Sequence, residues 1–264
     1  MQRISSRQNP LVARYRAAAR RDERDVLLLD GVHVVSEAVA SGVRVREAAV
    51  KADAMSITEI GALVERLTHA GVNVCAVSAS VMDAISPVRS SSTIVAIANR
   101  PAAAIERVYG APAALAVIAV DVQDPGNLGA IVRVAEAAGA TGVVAAGASA
   151  DPFGWKALRG SMGSALRLPV GVESDANRAV ADARERGCRI VATAPRQGRS
   201  IFDVDYRGPT AVLIGGEGPG LPPSLVAGAD DRVTIPMEAP VESLNAAVTA
   251  ALIAYEARRQ RTVR

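Results

Sequence analysis

The sequence predicts an α/β protein of two domains, and three observations carry that prediction. Short β-branched runs alternate with helical stretches along nearly the whole chain. The later runs are largely apolar, as strands covered on both faces of a parallel sheet are. A segment holding Pro101, Gly110 and Pro112 interrupts the pattern and reads as a linker over 101–112 with room for a helical turn. The expected division is a smaller α/β domain over 1–100 and a larger one, built on a parallel sheet, over 113–264.

In the first domain the runs at 26–29, 45–50, 72–77 and 93–98 are read as strands. Helices are expected from near Pro10, over 32–40 and over 57–70. In the second, strands are expected at 115–121, 142–146, 189–193, 211–215 and 232–236, with helices over 128–138, 176–186 and 243–261. No internal repeat or low-complexity tail is visible.

Composition narrows the function classes. A chain of 264 residues, half of them apolar and 22% charged, can bury a sizeable core, which excludes disordered and fibrous classes. Its longest apolar run, 113–120, falls short of the roughly 18 residues a membrane helix needs. The first ten residues contain two arginines and no apolar block, so no secretory leader is expected and the cytoplasm is the expected location. Cys75 and Cys188 are too far apart in sequence to suggest a disulfide framework or a thiolate metal site, and read as small buried hydrophobes. With His33 and His69 the only histidines, no metal centre is expected.

Charge is uneven. All but two of the 30 basic residues are arginine, the lysines being Lys51 and Lys156. Residues 1–24 hold seven arginines against Asp22 and Glu23, while the whole chain carries only +3. On a helix starting near Pro10, Arg14, Arg21 and Arg24 would share one side, as a stripe meeting phosphates would. A solvated face neutralised by Asp22, Glu23 and Asp25 explains the same residues equally well. With one Trp, four Tyr and two Phe, recognition by many stacked bases is not expected. Trp155 reads as a packed interface residue, with a single stacking platform next to Lys156 as the alternative.

Ligands of open parallel sheets gather at the carboxyl ends of strands, which directs attention to three turns. The first, Asp121-Val-Gln-Asp-Pro-Gly-Asn-Leu-Gly-Ala-Ile-Val-Arg133, enters a helix with Asn127 as a natural N-cap. Arg133 follows Ile131 and Val132, an apolar setting for a guanidinium. The second, Ile214-Gly-Gly-Glu-Gly-Pro-Gly-Leu221, has four glycines in six positions. It is no Walker loop, since Leu221 stands where lysine is required, and Glu217 would repel phosphate. The third, Ile235-Pro-Met-Glu-Ala-Pro-Val-Glu-Ser-Leu-Asn245, ends a strand at proline, and Ser243 and Asn245 can cap the helix that follows. A serine-hydrolase role for Ser243 fails because this half of the chain has no histidine. Each turn alone is explained as well by capping or tight turning as by ligand binding.

Together, in this order and spacing, the three segments resemble the signature motifs of the SpoU (TrmH) family of RNA ribose 2′-O-methyltransferases. Lys156-Ala-Leu-Arg-Gly-Ser-Met-Gly163 is similar to the family's segment between the first and second motifs. Ile4-Ser-Ser-Arg-Gln-Asn-Pro10, Leu28-Leu-Asp-Gly31 and 91–98 resemble the ribosomal-protein-like substrate-binding domain that many members carry. Two departures stand in that domain: Asp30 where members usually have Glu, and Ser91-Ser92-Thr93 where a Gly is common.

The resemblance implies a C-terminal trefoil-knot domain that binds S-adenosylmethionine, without metal, and a homodimer that completes the active site. Ala246 to Ala254 of the last helix would contribute to its interface. It implies Asn127, Arg133, Glu217, Ser243 and Asn245 as the polar catalytic set. Thr193, Gly215, Gly216, Ile235, Met237 and Leu244 would contact the cofactor. Arg14, Arg21, Arg24, Lys156 and Arg159 would contact RNA, ribosomal in preference to transfer RNA. The alternative is a non-catalytic RNA-binding or ribosome-assembly factor that keeps the fold; a related knotted enzyme that modifies a base is a lesser rival.

Overall fold

The computed structural model describes residues 1–103 and 105–262. Two compact units divide the chain: Met1–Ala102 with Phe153–Leu166, and Ala103–Pro152 with residues 167 onward.

The first unit runs β1 (Gln2–Ile4), α1 (Pro10–Arg20), β2 (Val26–Asp30), α2 (Val32–Ala40), β3 (Val45–Lys51), α3 (Thr58–His69), β4 (Asn73–Val77), α4 (Ala79–Ile85) and β5 (Ile94–Asn99). Its sheet has the order β1-β4-β3-β5-β2, with β1, β4 and β3 parallel and β5 antiparallel to both β3 and β2. Asn9 caps α1, its side chain accepting from the Leu11 N–H, and Pro10 supplies a preset φ at the first helical position. The helix stops at Arg20 because Arg21 turns left-handed (φ 64) and the N–H groups of Arg21 and Asp22 return to the Ala18 and Ala17 carbonyls. Arg24 therefore lies beyond α1, and the expected helical stripe of Arg14, Arg21 and Arg24 does not form.

A second correction concerns residues 153–166, which the sequence pattern places in the larger domain. They belong to the first unit, contributing α7 (Trp155–Ser161). Trp155 packs against the core formed by Ile4, Leu11, Tyr15, Leu28, Met82 and their neighbours. Arg159 meets the fully buried side chain of Asp30 at 2.5 Å. Ser86 Oγ and Ser92 Oγ also donate to that carboxylate, at 2.9 and 3.0 Å, so the buried charge has three donors.

The second unit contains α5 (Ile105–Val108), β6 (Leu115–Val120), α6 (Pro125–Ala137), β7 (Gly142–Ala146), β8 (Val170–Glu173), α8 (Ala176–Glu185), β9 (Arg189–Thr193), β10 (Arg199–Ser200), β11 (Thr210–Gly215), α9 (Pro223–Ala227), β12 (Asp231–Thr234) and α10 (Ala246–Thr262). Among the described residues its seven strands are all parallel, in the order β10-β12-β9-β11-β6-β7-β8. The strands β6 and β7 are buried along their whole length, as their continuous apolar sequence requires. Both cysteines are free and buried.

Several boundaries differ from expectation for local reasons. The helix α6 starts at Pro125, three residues early, because Asp124 takes the N-cap. The last helix starts at Ala246 and not at Ser243. Strand β8 and helices α4, α7 and α9 are short, four to seven residues each, and too brief to show a period.

Candidate active site at the carboxyl ends of three strands

The first turn leaves β6 at Asp121, which sits at φ 55 and accepts a hydrogen bond from the Ala148 N–H at 2.7 Å. Asp124 Oδ1 then accepts from the Asn127 N–H at 2.7 Å. With the cap supplied by Asp124, the Asn127 side chain is released from the capping role its sequence position suggests and projects from the first turn of α6.

The second turn follows β11. A Cβ on Gly215 would overlap the Gly220 backbone, and one on Gly216 would overlap the carbonyl of Asp121. Only glycine permits this approach of two chain segments, which places Glu217 beside the start of α6.

The third turn is closed by Asn245. Its Oδ1 accepts from the Ala247 and Val248 N–H groups at 2.9 and 3.3 Å, capping α10. Its Nδ2 is left to donate to Asn127 Oδ1 at 3.0 Å and to Glu217 Oε1 at 3.3 Å. Asn127 Nδ2 donates to the same Glu217 oxygen. Three residues from three separate turns thus form one closed polar cluster, each amide ordered by what the others accept.

Beside the cluster lies a cavity of about 660 Å³, within the range of small-molecule sites. Thr193, Gly215, Gly216, Ile235, Met237 and Leu244 all line it, together with Glu217, Ser243 and Asn245. Thr193 spends its hydroxyl on the Leu213 carbonyl, at 2.9 Å, so it offers a ligand mainly its backbone and methyl. Two arginines that sequence reasoning missed, Arg196 and Arg232, also line the cavity. Asp121 and Asp124 were missed as well; the Asp-Pro-Gly run after a strand was the available signal for the cap.

The remaining predicted residues are placed elsewhere. Arg133 does not line the cavity. It lies on α6 about 9 Å further along the axis than Asn127, given a rise of ~1.5 Å per residue. Its neighbours Ile131, Val132 and Ala135 are buried while Arg133 itself is exposed, so the apolar setting read from the sequence belongs to the opposite face of the helix. Arg14 is held by Glu47 through two hydrogen bonds, at 3.1 and 2.8 Å, and Arg159 by Asp30. Arg21 and Arg24 are exposed, and exposed Lys156 lies 5.5 Å from the centre of the Trp155 ring.

Residues 114–255 match the model of the SpoU rRNA Methylase family. The chain belongs to that family. Residues 12–96 match the MRM3-like substrate binding domain, on the first unit of this SpoU methylase. Bacillus subtilis 23S rRNA (guanosine(2553)-2′-O)-methyltransferase RlmP is 31% identical, over 98% of this chain and all of its own. The structure of AviRb from Streptomyces viridochromogenes in complex with AdoMet superposes with a TM-score of 0.86 at 30% identity, covering 96% of this chain and 98% of its own. An AdoMet-bound rRNA methyltransferase from Sinorhizobium meliloti gives 0.86 at 27% identity, with 98% and 97% covered. The mixed α/β architecture with parallel sheets is shared with these enzymes.

Proposed function

We propose that this SpoU methylase transfers a methyl group from S-adenosylmethionine to a ribose 2′-hydroxyl of structured RNA, ribosomal RNA in preference to transfer RNA. The observation that carries the reading is the convergence of Asn127, Glu217 and Asn245 beside a 660 Å³ cavity. Relatives named as 23S rRNA 2′-O-methyltransferases support the choice of RNA.

The residues lining the cavity fit the donor. Backbone of the Gly215-Gly216 turn and the side chains of Ile235, Met237 and Leu244 offer an apolar, largely uncharged wall, with the Glu217 carboxylate nearby to favour a cation. When bound, S-adenosylmethionine supplies a methyl carbon made electrophilic by its sulfonium. The ribose oxygen forms the new C–O bond as the S–CH3 bond breaks, its electron pair remaining on sulfur, and the hydroxyl proton must leave. Arg133 cannot take it, since a guanidinium presents five N–H donors and no acceptor. Arg133 instead orients the 2′-hydroxyl or its adjacent phosphate and stabilises developing alkoxide charge. Glu217 keeps Oε1 for the two amides, and Oε2 is its acceptor for a proton relay. Ser243 lines the cavity and positions substrate.

Arg133 lies outside the cavity of its own chain, which favours a homodimer in which it serves the site of a second copy. The exposed stripe Val248, Leu252 and Tyr255 on α10, at helical spacing, supports that assembly. A threaded C-terminal segment is consistent with the crossing at Gly215 and Gly216. No helix among the described residues is long and apolar enough to cross a membrane, in keeping with a cytoplasmic enzyme. Phosphate contacts from the sequence-derived set fall to Arg24 and Lys156, because carboxylates already occupy Arg14 and Arg159.

Mapping 2′-O-methyl positions in total RNA from a deletion strain beside its parent tests the reading. Loss of one site in ribosomal RNA is expected; an unchanged map, with no S-adenosylmethionine binding by the purified protein, would favour the non-catalytic RNA-binding alternative.

A further inference from the structure

We propose that Arg7 and Arg16 form a pre-oriented pair that grips consecutive phosphates of an RNA strand along helix α4. The proposal rests on the RNA reading above and names the surface that holds the substrate. Arg7 Nε donates to the Ser80 carbonyl at 2.8 Å, and Arg16 Nε donates to the Ala84 carbonyl at 2.9 Å. Those two carbonyls are four residues apart on one helix, so the guanidinium groups are staggered by about 6 Å along its axis. Both arginines are exposed, and neither has a carboxylate partner among the described residues.

This arrangement differs from that of three other arginines of the same unit. Arg14 is bound to Glu47, Arg20 to Asp22 and Arg46 to Asp25. Each of those guanidinium groups is already neutralised. In Arg7 and Arg16 a carbonyl holds only Nε, which fixes the plane of the group and leaves the Nη hydrogens to donate outward. An anchored fork loses less conformational freedom on meeting an anion than a free side chain does. Neither arginine is paired by its surroundings: α1 contains no acidic residue, and Asp83 on α4 accepts from Ser91 Oγ at 2.6 Å and forms no ion pair with Arg7 or Arg16 among the described residues. Two fixed cations at this spacing suit a polyanion with regularly placed charges, and phosphodiester oxygens accept bidentate donation from Arg.

The test measures the salt dependence of binding to a 23S ribosomal RNA transcript for the full-length protein. Each phosphate contact contributes about 0.7 to 0.9 to the slope of log affinity against log salt. The double variant Arg7→Gln/Arg16→Gln is expected to lower the slope by about 1.5, whereas Arg20→Gln, on α1 with Arg16 but paired with Asp22, leaves it unchanged. Arg7→Lys/Arg16→Lys keeps the charge and is expected to keep most of the slope, which separates lost contacts from lost folding. An unchanged slope in the double Gln variant, or an equal fall in Arg20→Gln, overturns the proposal. Calorimetric titration with S-adenosylmethionine is run on the same samples: retained binding with an unchanged slope removes this surface alone, while absent binding in the unaltered protein removes the methyltransferase reading.

Discussion

The Asn245 amide donates to the Asn127 carbonyl oxygen at 3.0 Å, joining residues 118 positions apart, and both amides point at one oxygen of Glu217. A cluster closed this way orders its members mutually: Glu217 fixes both amide orientations, and Asn245 is fixed again by capping α10.

Removing the shared acceptor is therefore expected to disturb both asparagines. Hydrogen bonds to a charged group contribute about 1.5 to 3 kcal/mol, so Glu217→Ala should lower kcat/KM for RNA methylation about tenfold or more. Glu217→Gln, which keeps an acceptor oxygen but not the charge, separates bracing from proton relay. Rate recovery in Glu217→Gln would assign bracing alone.

Arg133→Ala is expected to reduce single-turnover methyl transfer by about 10²- to 10³-fold, the effect of losing one donor to a developing oxyanion. Arg133→Lys should retain measurable rate if the role is charge alone. Turnover like that of the unaltered enzyme in Arg133→Ala would take Arg133 out of the mechanism.

The glycine turn offers a contrast within five residues. Gly216→Ala drives a methyl group into the Asp121 carbonyl and should abolish tight S-adenosylmethionine binding, while Gly218→Ala meets no atom and carries only the strain of φ 88, about 1 to 2 kcal/mol. Isothermal titration compares the two, and equal affinities would show that the close approach is not needed.

Asp30→Ala strands Arg159, Ser86 and Ser92 without their acceptor, and leaving buried donors unsatisfied costs about 1 to 3 kcal/mol. Arg159→Ala should cost at least as much, since it leaves the fully buried Asp30 carboxylate with two neutral hydroxyl donors and no opposite charge. Urea unfolding monitored at Trp155 in the same unit reads both; an unshifted midpoint in Asp30→Ala would contradict the buried pair.

Burial pushes the phenols of Tyr15, Tyr109 and Tyr206 well above their ordinary range, and none of the three hydroxyls has a hydrogen-bond partner among the described residues. In the unfolded chain a tyrosine loses its proton near about pH 10, while these three keep theirs in the folded protein. The unfolded state then binds fewer protons, so stability is unaffected below about pH 10 and falls as pH rises beyond it. Alkaline titration should show their phenolate absorbance appearing together with loss of helical circular dichroism, not before it.

The apolar runs at 115–120 and 142–146 announced strands covered on both faces, and they are the buried heart of the parallel sheet. That information is local: hydrophobic period and run length decide whether a segment is a strand, whatever surrounds it. The three turns were legible from their glycines, prolines and capping residues, and the family only through the resemblance that their combination carries. The arginine stripe was not, because it depended on where α1 ends. A left-handed residue at Arg21 with no glycine to advertise it ended the helix early.

Residue type and spacing along the chain by themselves determined the α/β class, the longer strands and helices, and the position of the three turns. Tertiary structure alone decided that Asn127 would be free of its cap, that Glu217 would meet two amides at once, and that Arg14 and Arg159 would be consumed by Glu47 and Asp30. The physical reason is that hydrogen bonds and ion pairs are short-ranged. Which donor reaches which acceptor depends on backbone approaches, such as Gly216 against Asp121, that only the folded chain creates.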